Sequence, residues 1–558
     1  MASTSQSQEV DGLAVTGAID VKPDLTSSGQ KRNRLDALMY AIVIGVLVVT
    51  MPALFYPGDN FSVRAEGIEL LTTGQFGIPF SRRAELEALV ETRGQYFYEN
   101  DTRGRFFSKY GVAYTLLSVL PLSIERLICG RLSLVHKSGS LLLLLNLWSI
   151  GISWVVIVYM KRLSAWYTQR VWLQWAFVIS SCFGTILWFY LRNHAHDALQ
   201  LAAFLGFVYH SLVFLRASNE SNGSTWRWGH LATSTIWLGL LVHMRFSYAL
   251  LYAPLWLAAS SAGASGIVWR ERVRANVRGR SAFFGVSLVL PTLVGLGGLM
   301  WLQWWKFGSP FDHGYSQWIE TMRATRASTQ ATEAAWYSLI SAKLGIVFRA
   351  YLTTLGNYNV FTHYPLIAFS LLGISRFRAG DHIGFRYLIG VLMAILIPVV
   401  ALGGGGYGYG PRYLLPFLIL GSLPVICLVE FVIERGQRWI RIAAIGAIVV
   451  AVSISTWLQT YANSIYCFSL FGVAELLEPL AEDKDFKESL GRYEYTAHVG
   501  LLNRDLIRYR DLNAPFEPLE TVLKSMPSQE RERLRRELRS PLLRFTADNY
   551  AFFSARGR

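Results

Sequence analysis

Long apolar runs recur along this chain from Leu38 to about Leu458, and they constrain its fold more than any other feature. Each run holds roughly 17–25 residues, enough for a helix to cross the hydrocarbon core of a membrane. The composition agrees, since 52% of the residues are hydrophobic and 16% are charged, against about 25% charged in a typical soluble domain. The pattern predicts an all-α polytopic membrane protein.

Basic residues between the apolar runs predict the topology. Lys31, Arg32 and Arg34 precede the first run. Further basic loops lie at 161–170, 216–227, 270–280, 376–386 and 435–441. Because cytoplasmic loops retain Lys and Arg, we expect the N-terminus and all of these loops on the cytoplasmic side. The net charge of +15 then reflects topology, and the short clusters lack the continuous basic face of a nucleic-acid-binding protein.

The segment 110–128 decides the number of spans. Its Pro121 and its basic neighbours favour a helix that lies in the membrane interface rather than one that spans the membrane. With an interfacial helix here, every basic loop falls on one side of the membrane. About 11 transmembrane helices are then expected. They cover 38–56, 138–160, 171–191, 198–215, 229–244, 246–260, 283–304, 359–375, 387–402, 413–433 and 441–459.

Three regions follow from this pattern. Residues 1–36 have the polar composition of a disordered cytoplasmic tail. Residues 37–459 form the transmembrane domain, whose first exoplasmic loop, 57–137, is expected to contain interfacial helices. Residues 460–558 are expected to form a small, mostly helical extramembrane domain on the exoplasmic side.

The first exoplasmic loop opens with Asp59, which closely follows the first apolar run. Apolar residues at helical spacing between Asp59 and Gly74 predict an amphipathic helix on the membrane surface. Asp59 has two interpretations at this position. It caps free N–H groups of the helix, or it serves chemistry, since a carboxylate beside a membrane span is costly to hold.

The second half of the loop, 96–110, interleaves aromatic and cationic residues. Arg105 and Lys109 are expected at the level of the lipid headgroups, where a phosphate group would lie. They either extend to the interface as ordinary basic side chains or form a phosphate clamp.

These elements in order resemble the GT-C superfamily of polyprenyl-phosphate-sugar glycosyltransferases. The resemblance rests on Asp59 after the first run, the helix ending at Gly74, and the sequence G-R-x-x-x-K-Y-G at 104–111. Over residues 38–430 the chain is most similar to bacterial dolichyl-phosphate-mannose-protein mannosyltransferase-like and aminoarabinose-transferase-like membrane proteins. The matching pieces are weak motifs in sequence rather than one strong signature.

Later pieces of the chain extend this resemblance. They are His194, His196 and Asp197 in the turn RNHAHD, Arg245 between two short spans, and Arg412 and Tyr413 at the end of the glycine-rich segment 403–413. By resemblance, the protein is an integral protein of a bacterial inner (plasma) membrane. It would use a polyprenyl-phosphate sugar donor, with a glycan, lipid or protein as acceptor.

The resemblance also implies roles for these residues. Transfer would proceed by direct displacement with inversion, with Asp59 as the base that activates the acceptor. Cations would stabilise the departing phosphate: Lys109, Arg245 and Arg412, with Arg105 as a weaker candidate. Substrate contacts would come from His194, His196, Asp197, Tyr413 and Glu66.

Asn60 departs from the family pattern, since many relatives have a second acid after the aspartate. The departure leaves open whether a divalent cation such as Mg²⁺ or Mn²⁺ takes part, and Glu66 or Glu99 is a candidate for the missing carboxylate. Two other hypotheses stay open. One is a transporter or flippase of a lipid-linked sugar, which requires polar groups near the middle of the membrane, and the other is a non-catalytic polytopic subunit.

Overall fold

In the computed structural model, the protein is built from helices, with a small antiparallel sheet in the loop after the first apolar run. The structure describes residues 27–50, 59–87, 97–130, 132, 139–192, 196–217, 226–261, 283, 285–312, 314, 316–317, 360–401, 412–467 and 528. Most of the C-terminal region 460–558 therefore lies outside the described residues, and its expected helical domain stays a prediction.

The helices before the middle of the chain are α1 (Ser27–Val49), α2 (Asp59–Thr73), α3 (Arg83–Glu87), α4 (Val112–Cys129), α5 (Gly139–Ser164), α6 (Val171–Phe183), α7 (Leu187–Arg192), α8 (His196–Ala217), α9 (Trp226–Met244) and α10 (Tyr252–Ser261). The later helices are α11 (Leu290–Phe307), α12 (Val360–His363), α13 (Leu366–Gly380), α14 (His382–Ala401), α15 (Leu415–Ser422), α16 (Pro424–Arg435) and α17 (Arg438–Cys467). Short 3₁₀ turns lie at Phe80–Arg82, Phe246–Leu251 and Arg412–Leu414, and a π turn lies at Gly285–Val289. Helix α1 begins at Ser27, inside the segment expected as a disordered tail.

Five helical stretches among the described residues are long and apolar enough to cross a membrane. They are His196–Ala217, Gly285–Phe307, His382–Val399, Leu415–Arg435 and Arg438–Trp457. We therefore treat the protein as an integral membrane protein. The expected number of about 11 spans stays a prediction.

Two expected spans are interrupted helices. The run 171–191 divides into α6 and α7, because Thr185 Oγ1 donates to the Ser181 carbonyl at 2.6 Å and accepts the Leu187 N–H at 3.0 Å. This side chain replaces bonds of the main-chain helix. The run 413–433 changes from α15 to α16 at Pro424, which has no N–H to donate.

Helix α8 lies in the core of the bundle. It is apolar on all sides, and most of its residues are buried. Such a helix lies in the core of a large protein or crosses a membrane. A side chain at Gly206 would lie 2.8 Å from the ring of Trp237, so glycine allows α9 to approach closely. The start of α8 at His196 and Asp197 is held within this packed centre.

The loop between α1 and α5 begins with α2, as expected from the sequence. Gly74 ends this helix with φ of +73°, and its N–H donates to the Leu70 carbonyl at 2.9 Å. Gly67 lets α2 approach α4, because a Cβ there would lie 2.5 Å from Ser118 Oγ. Helix α2 is therefore packed into the protein along much of its length.

The all-α prediction is wrong in this loop, because it contains a three-stranded antiparallel sheet. The strands β1 (Ile78–Pro79), β2 (Phe97–Asn100) and β3 (Arg105–Ser108) lie in the order β1-β3-β2. Phe97 pairs with Ser108 and Glu99 with Phe106. Gly104, with φ of +62°, closes the turn between β2 and β3. The aromatic residues that suggested an interfacial surface instead alternate across a hairpin.

Helix α4 covers nearly all of the segment expected as an interfacial helix. Glycine at position 130, with φ of +69°, ends it. One side packs against the protein through residues such as Ala113, Tyr114 and Leu122. The other side exposes an apolar stripe at helical spacing, formed by Leu116, Leu120, Ile124, Leu127 and Ile128. Such a stripe suits contact with lipid.

Candidate functional site

The charged side chains of Arg64, Glu66 and Glu69 on α2 are enclosed by the protein rather than by water. Arg64 forms a bidentate ion pair with Glu125 of α4, at 2.9 and 2.6 Å. Glu69 accepts a bond from Arg82 at 3.0 Å. These pairs attach α2 to its neighbours by charge as well as by apolar packing.

Glu66 is more deeply enclosed than Glu69, and its partner comes from distant sequence. Lys306 Nζ lies 3.1 Å from one carboxylate oxygen and 3.3 Å from the other. Thr115 Oγ1 donates to this carboxylate at 2.7 Å. Glu66 is 0% exposed and Lys306 is 2% exposed. The carboxylate thus joins α2, α4 and the end of α11.

The end of β3 is bound by the same ammonium group. Lys306 Nζ donates to the carbonyls of Ser108 at 2.9 Å and of Tyr110 at 3.3 Å. Ser108 Oγ also lies 3.0 Å from Ser62 Oγ of α2. The main chain on both sides of Lys109 is therefore fixed from the interior.

The β2–β3 hairpin is attached to the end of α11. Asn100 Nδ2 donates to the Lys306 carbonyl at 2.8 Å, and the Tyr98 hydroxyl donates to the Phe307 carbonyl at 3.0 Å. These bonds satisfy carbonyl groups that a helix C-terminus leaves unpaired. The hairpin and α11 thus form one frame.

Gly111 brings this frame against the end of α9. A Cβ at Gly111 would lie 1.6 Å from the carbonyl oxygen of His243 and 3.0 Å from Met244 Cα. Only glycine permits two backbones to approach this closely. The contact places Tyr110 and α4 beside the Met244–Arg245 corner.

An aromatic and ionic cluster lies at this junction. The His196 ring is 5.1 Å from the rings of both Tyr110 and Tyr114. Lys109 Nζ lies 5.4 Å from the centre of the Tyr110 ring. His196 Nε2 is 4.0 Å from a carboxylate oxygen of Asp197, which is nearly buried. Lys109 of the first loop and Asp197 of α8 thus lie beside the same group of rings, formed by Tyr110, Tyr114 and His196.

The other side of the cluster contains Arg245. Its guanidinium lies 4.1 Å from the centre of the Tyr413 ring, within the range of a cation–π interaction. The charges of Arg245 and Asp197 both act on the Tyr248 hydroxyl, which donates to Gln200 Oε1 at 3.3 Å. We call Lys109, Tyr110, Tyr114, His196, Asp197, Arg245, Tyr248 and Tyr413 the junction cluster.

Tyr114 shows that opposite charges act on the middle of the junction cluster. Burial raises the pKa of the Tyr114 phenol well above its ordinary value, and the Asp197 carboxylate adds to this rise. The guanidinium of Arg245 opposes it. The phenol therefore stays protonated at neutral pH, and its hydroxyl donates to the His196 carbonyl at 3.1 Å.

The junction cluster combines the groups needed to bind a sugar phosphate. Lys and Arg side chains are the usual partners of phosphate oxygens. Aromatic rings supply apolar faces with polar edges, and a carboxylate accepts hydrogen bonds from hydroxyl groups. Such a set of groups can bind an anion and a neighbouring polyol.

The structure brings five of the ten predicted site residues into this cluster: Lys109, His196, Asp197, Arg245 and Tyr413. Two others lie apart from it in the frame. Arg105 donates to the carbonyls of Phe76 and Gly77, at 3.2 and 2.6 Å, and to Gln75. Glu66 is enclosed by Lys306 and Thr115. Arg105 thus binds neighbouring groups of the first loop, and Glu66 joins α2 to α4 and α11.

The remaining predicted residues are His194, Asp59 and Arg412. His194 and the side chains of Asp59 and Arg412 lie outside the described residues, and their roles stay predictions. The backbone of Asp59 begins α2, and that of Arg412 begins the 3₁₀ turn before α15.

Sequence reasoning missed Lys306 and the tyrosines of α4 and of the Phe246–Leu251 turn. One signal was present, since Lys306 is a charged residue in the last turn of an apolar helix that ends at Gly308. Tyr110 belongs to the same K-Y-G motif as Lys109. Tyr114 and Tyr248 gave no sequence signal that separates them from ordinary core aromatics.

The described residues contain no group of three or more His, Cys, Asp or Glu side chains able to hold a metal ion. Mg²⁺ is usually bound by one or two carboxylates together with substrate phosphates. The proposed Mg²⁺ or Mn²⁺ stays a prediction.

No protein-family model matches the chain, and no curated protein matches it. Solved structures with a similar course of the chain include the archaeal oligosaccharyltransferase AglB from Archaeoglobus fulgidus, in complex with an inhibitory peptide and a dolichol-phosphate. The TM-score is 0.46 and the identity 11%, over 82% of this chain and 60% of that one.

The apo form of the Archaeoglobus fulgidus oligosaccharyltransferase gives a TM-score of 0.44 at 11% identity, over 81% of this chain and 59% of that chain. The protein thus spans less than two thirds of these longer chains. At this level of similarity the comparison supports no conclusion about activity or substrate.

Proposed function

We propose that this protein is a membrane glycosyltransferase that moves a sugar from a polyprenyl-phosphate donor to an acceptor. One observation carries the proposal: the first loop, the start of α8 and the Arg245 corner converge in the junction cluster. Two cations, a carboxylate and several aromatic rings, drawn from distant parts of the sequence, meet there. Charged groups that gather with aromatic rings from distant segments are typical of a functional site.

The proposed reaction is a single displacement. A hydroxyl or other nucleophile of the acceptor attacks the anomeric carbon, and the bond from that carbon to the phosphate oxygen breaks. Asp59 takes the proton of the acceptor. The polyprenyl phosphate leaves with the electron pair, and the anomeric centre is inverted.

The cations act on the departing phosphate. Lys109, Arg245 and Arg412 would stabilise the negative charge that develops there. His194, His196, Asp197 and Tyr413 would contact the sugar or the acceptor. We assign structural roles to Arg105 and Glu66, because Arg105 donates to the Gly77 carbonyl and the enclosed Glu66 pairs with Lys306.

The reaction would take place at the exoplasmic face of a bacterial inner membrane, beside the lipid-facing stripe of α4. A polyprenyl chain in the bilayer could then remain in lipid while its phosphate reaches Lys109. The acceptor is a glycan, a lipid or a protein. A bound Mg²⁺ or Mn²⁺ would add positive charge at the phosphate, but the cations of the chain suffice for the proposal.

The base is tested by Asp59→Asn in the purified full-length protein, assayed for transfer from polyprenyl-phosphate sugars. We expect turnover to fall about 10²- to 10⁴-fold, because general-base catalysis contributes that much. The thermal unfolding temperature should stay unchanged. Asp101→Asn, in the exposed hairpin turn, is the matched control. Near-normal turnover of the Asp59 variant would remove Asp59 from the mechanism.

The phosphate-binding cations are tested by Lys109→Ala and Arg412→Ala. Each should weaken donor binding roughly tenfold or more, since a hydrogen bond to a charged group contributes about 1.5–3 kcal/mol. Arg126→Ala, on the exposed side of α4, removes a nearby cation and should have little effect. Unchanged donor affinity together with lowered thermal stability would show that Lys109 and Arg412 are structural.

A further inference from the structure

Lys306 is enclosed in the protein, yet it lies directly behind the main chain of Lys109. An ammonium group has three protons. In this structure they face the Glu66 carboxylate and the carbonyls of Ser108 and Tyr110. The two carbonyls belong to the residues on either side of Lys109.

We propose that Lys306 is a positioning residue that holds Lys109 and Tyr110 in place for binding the donor phosphate. The inference rests on the proposed function, because it assigns to Lys306 the placement of a phosphate-binding cation. Lys306 itself is 2% exposed and does not reach the substrate surface.

The position of Lys306 is itself fixed. The hairpin binds the carbonyls of Lys306 and Phe307 through Asn100 and Tyr98. Glu66 holds the ammonium from α2. A displacement of Lys306 would therefore require α2, the hairpin and α11 to move together.

The main chain of Lys109 is also enclosed from other directions. A Cβ at Gly314 would lie 3.0 Å from Lys109 Cα, so the chain after α11 approaches it closely. Gly111, two residues later, contacts the His243 carbonyl group. Among these contacts, Lys306 supplies the hydrogen bonds to the carbonyl groups.

Enclosing an ammonium and a carboxylate carries a desolvation cost that their attraction only roughly offsets. A pair of apolar side chains would join α2 to α11 at lower cost. It would not bind two main-chain carbonyls in one fixed geometry. The need to fix the main chain around Lys109 therefore explains the Glu66–Lys306 ion pair better than a gain in folding stability does.

The test uses a variant in which no enclosed charge is left alone. Lys306→Met by itself would strand the Glu66 carboxylate, so the test variant combines Glu66→Gln with Lys306→Met. The matched control is Arg64→Met with Glu125→Gln, which removes an equally enclosed ion pair from the same helix. That pair does not touch the carbonyls beside Lys109.

Binding of undecaprenyl phosphate to each full-length protein in detergent is the readout, with undecaprenol as the lipid without phosphate. We expect the Glu66/Lys306 double variant to bind undecaprenyl phosphate about 10-fold more weakly, because the phosphate–Lys109 bond loses its alignment. Undecaprenol binding and the Arg64/Glu125 variant should change less than about twofold. In transfer assays, KM for the donor should rise more than kcat falls.

The outcomes separate the two proposals. If the Glu66/Lys306 variant is folded and binds undecaprenyl phosphate as tightly as the wild type, the positioning role is overturned while the proposed function stands. If both double variants lose affinity equally, the effect is general stability and the positioning role is again overturned. If the wild-type protein does not distinguish undecaprenyl phosphate from undecaprenol, the proposed donor fails, and the role of Lys306 fails with it.

Discussion

The ion pairs near the two ends of α8 differ in how far their side chains are exposed to solvent. At the end that meets the first loop, two pairs have both partners enclosed: Arg64 and Glu125 are 4% and 2% exposed, and Lys306 and Glu66 are 2% and 0% exposed. At the other end, each pair has a partner that reaches solvent. Asp36 beside Lys161 is 24% exposed, Arg216 beside Asp381 is 33% exposed, and Arg170 beside Glu430 is 42% exposed.

The difference is one of rigidity. An exposed partner can exchange its ion pair for water, so such pairs join helices with little net energy. An enclosed pair has no such alternative, and breaking it leaves a charge in the interior. The end of α8 beside the first loop is therefore held in one arrangement. This end contains the junction cluster, and a binding site needs such rigid support.

The first prediction concerns the enclosed end of α8, where a substitution can separate the first loop from α9. Gly111→Ala would place a Cβ 1.6 Å from the His243 carbonyl oxygen, a distance at which the backbones must separate. We expect this substitution to cause a larger loss of stability than any single charge removal at either end of α8, with little folded protein recovered. Size-exclusion profiles and thermal unfolding in detergent measure it.

Gly151→Ala is the matched control, because a Cβ at Gly151 meets nothing within 4 Å. Its unfolding temperature should be unchanged or slightly higher, since alanine favours a helix over glycine. A Gly111→Ala protein as stable as the Gly151→Ala protein would mean that the first loop is not held against α9.

The second prediction compares one enclosed and one partly exposed pair. Arg64→Met removes the bidentate partner of Glu125, and such a loss in an interior costs about 3–5 kcal/mol. Lys161→Met leaves Asp36 able to reach water, so its cost should be smaller. Thermal unfolding of the two variants, measured side by side, should show the larger decrease for Arg64→Met.

A double variant that replaces both members of the enclosed pair tests whether the unpaired charge causes the loss of stability. Arg64→Met with Glu125→Gln should recover much of the lost stability, because no charge then remains inside. Equal decreases for Arg64→Met and Lys161→Met would show that the two ends of α8 do not differ in the way their exposure indicates.

Local features of the sequence predicted the elements that this contrast depends on. The amphipathic pattern after Asp59 predicted α2, and Gly74 ends it as expected. The interruption at Arg245 is present as the 3₁₀ turn Phe246–Leu251 between α9 and α10. Both are set by neighbours within one or two helical turns, and sequence spacing reports such neighbours directly.

The enclosed ion pairs could not be predicted from the sequence, because the two partners of each pair are far apart along the chain. Glu66 and Lys306 are separated by 240 positions, and Arg64 and Glu125 by 61. Arg64 and Glu66 are two positions apart, so helical periodicity places them on different sides of α2. Only the packing of α4 and α11 on these sides shows that both charges are enclosed.

The sheet in the first loop was missed for a different reason. Phe97 and Tyr98 on one strand, and Phe106 and Phe107 on the next, send alternate rings to opposite faces. One face packs with α2, and on the other the rings of Tyr98 and Phe107 contact Phe307 and Trp305. A strand with apolar residues on both faces lacks the alternation that marks a half-exposed strand.

The smallest expected effect concerns Arg82, which lies between an exposed and an enclosed acid. Its side chain binds Glu85, which is 50% exposed, and Glu69, which is 5% exposed. The hydrogen bond from Arg82 lowers the pKa of Glu85. The stability that Glu85 contributes is therefore present above its ordinary pKa and is lost as the pH falls through the lowered value.

Glu85→Gln should lower the free energy of unfolding by less than about 1 kcal/mol, because an exposed pair contributes little. It should also flatten the acid side of the dependence of unfolding temperature on pH. Arg82→Met should cost more than Glu85→Gln, since it removes the charge beside the enclosed Glu69 as well. If the two variants unfold at the same temperature across this pH range, the Arg82–Glu69 bond contributes nothing, and enclosure of an acid on α2 does not by itself make its pair strong.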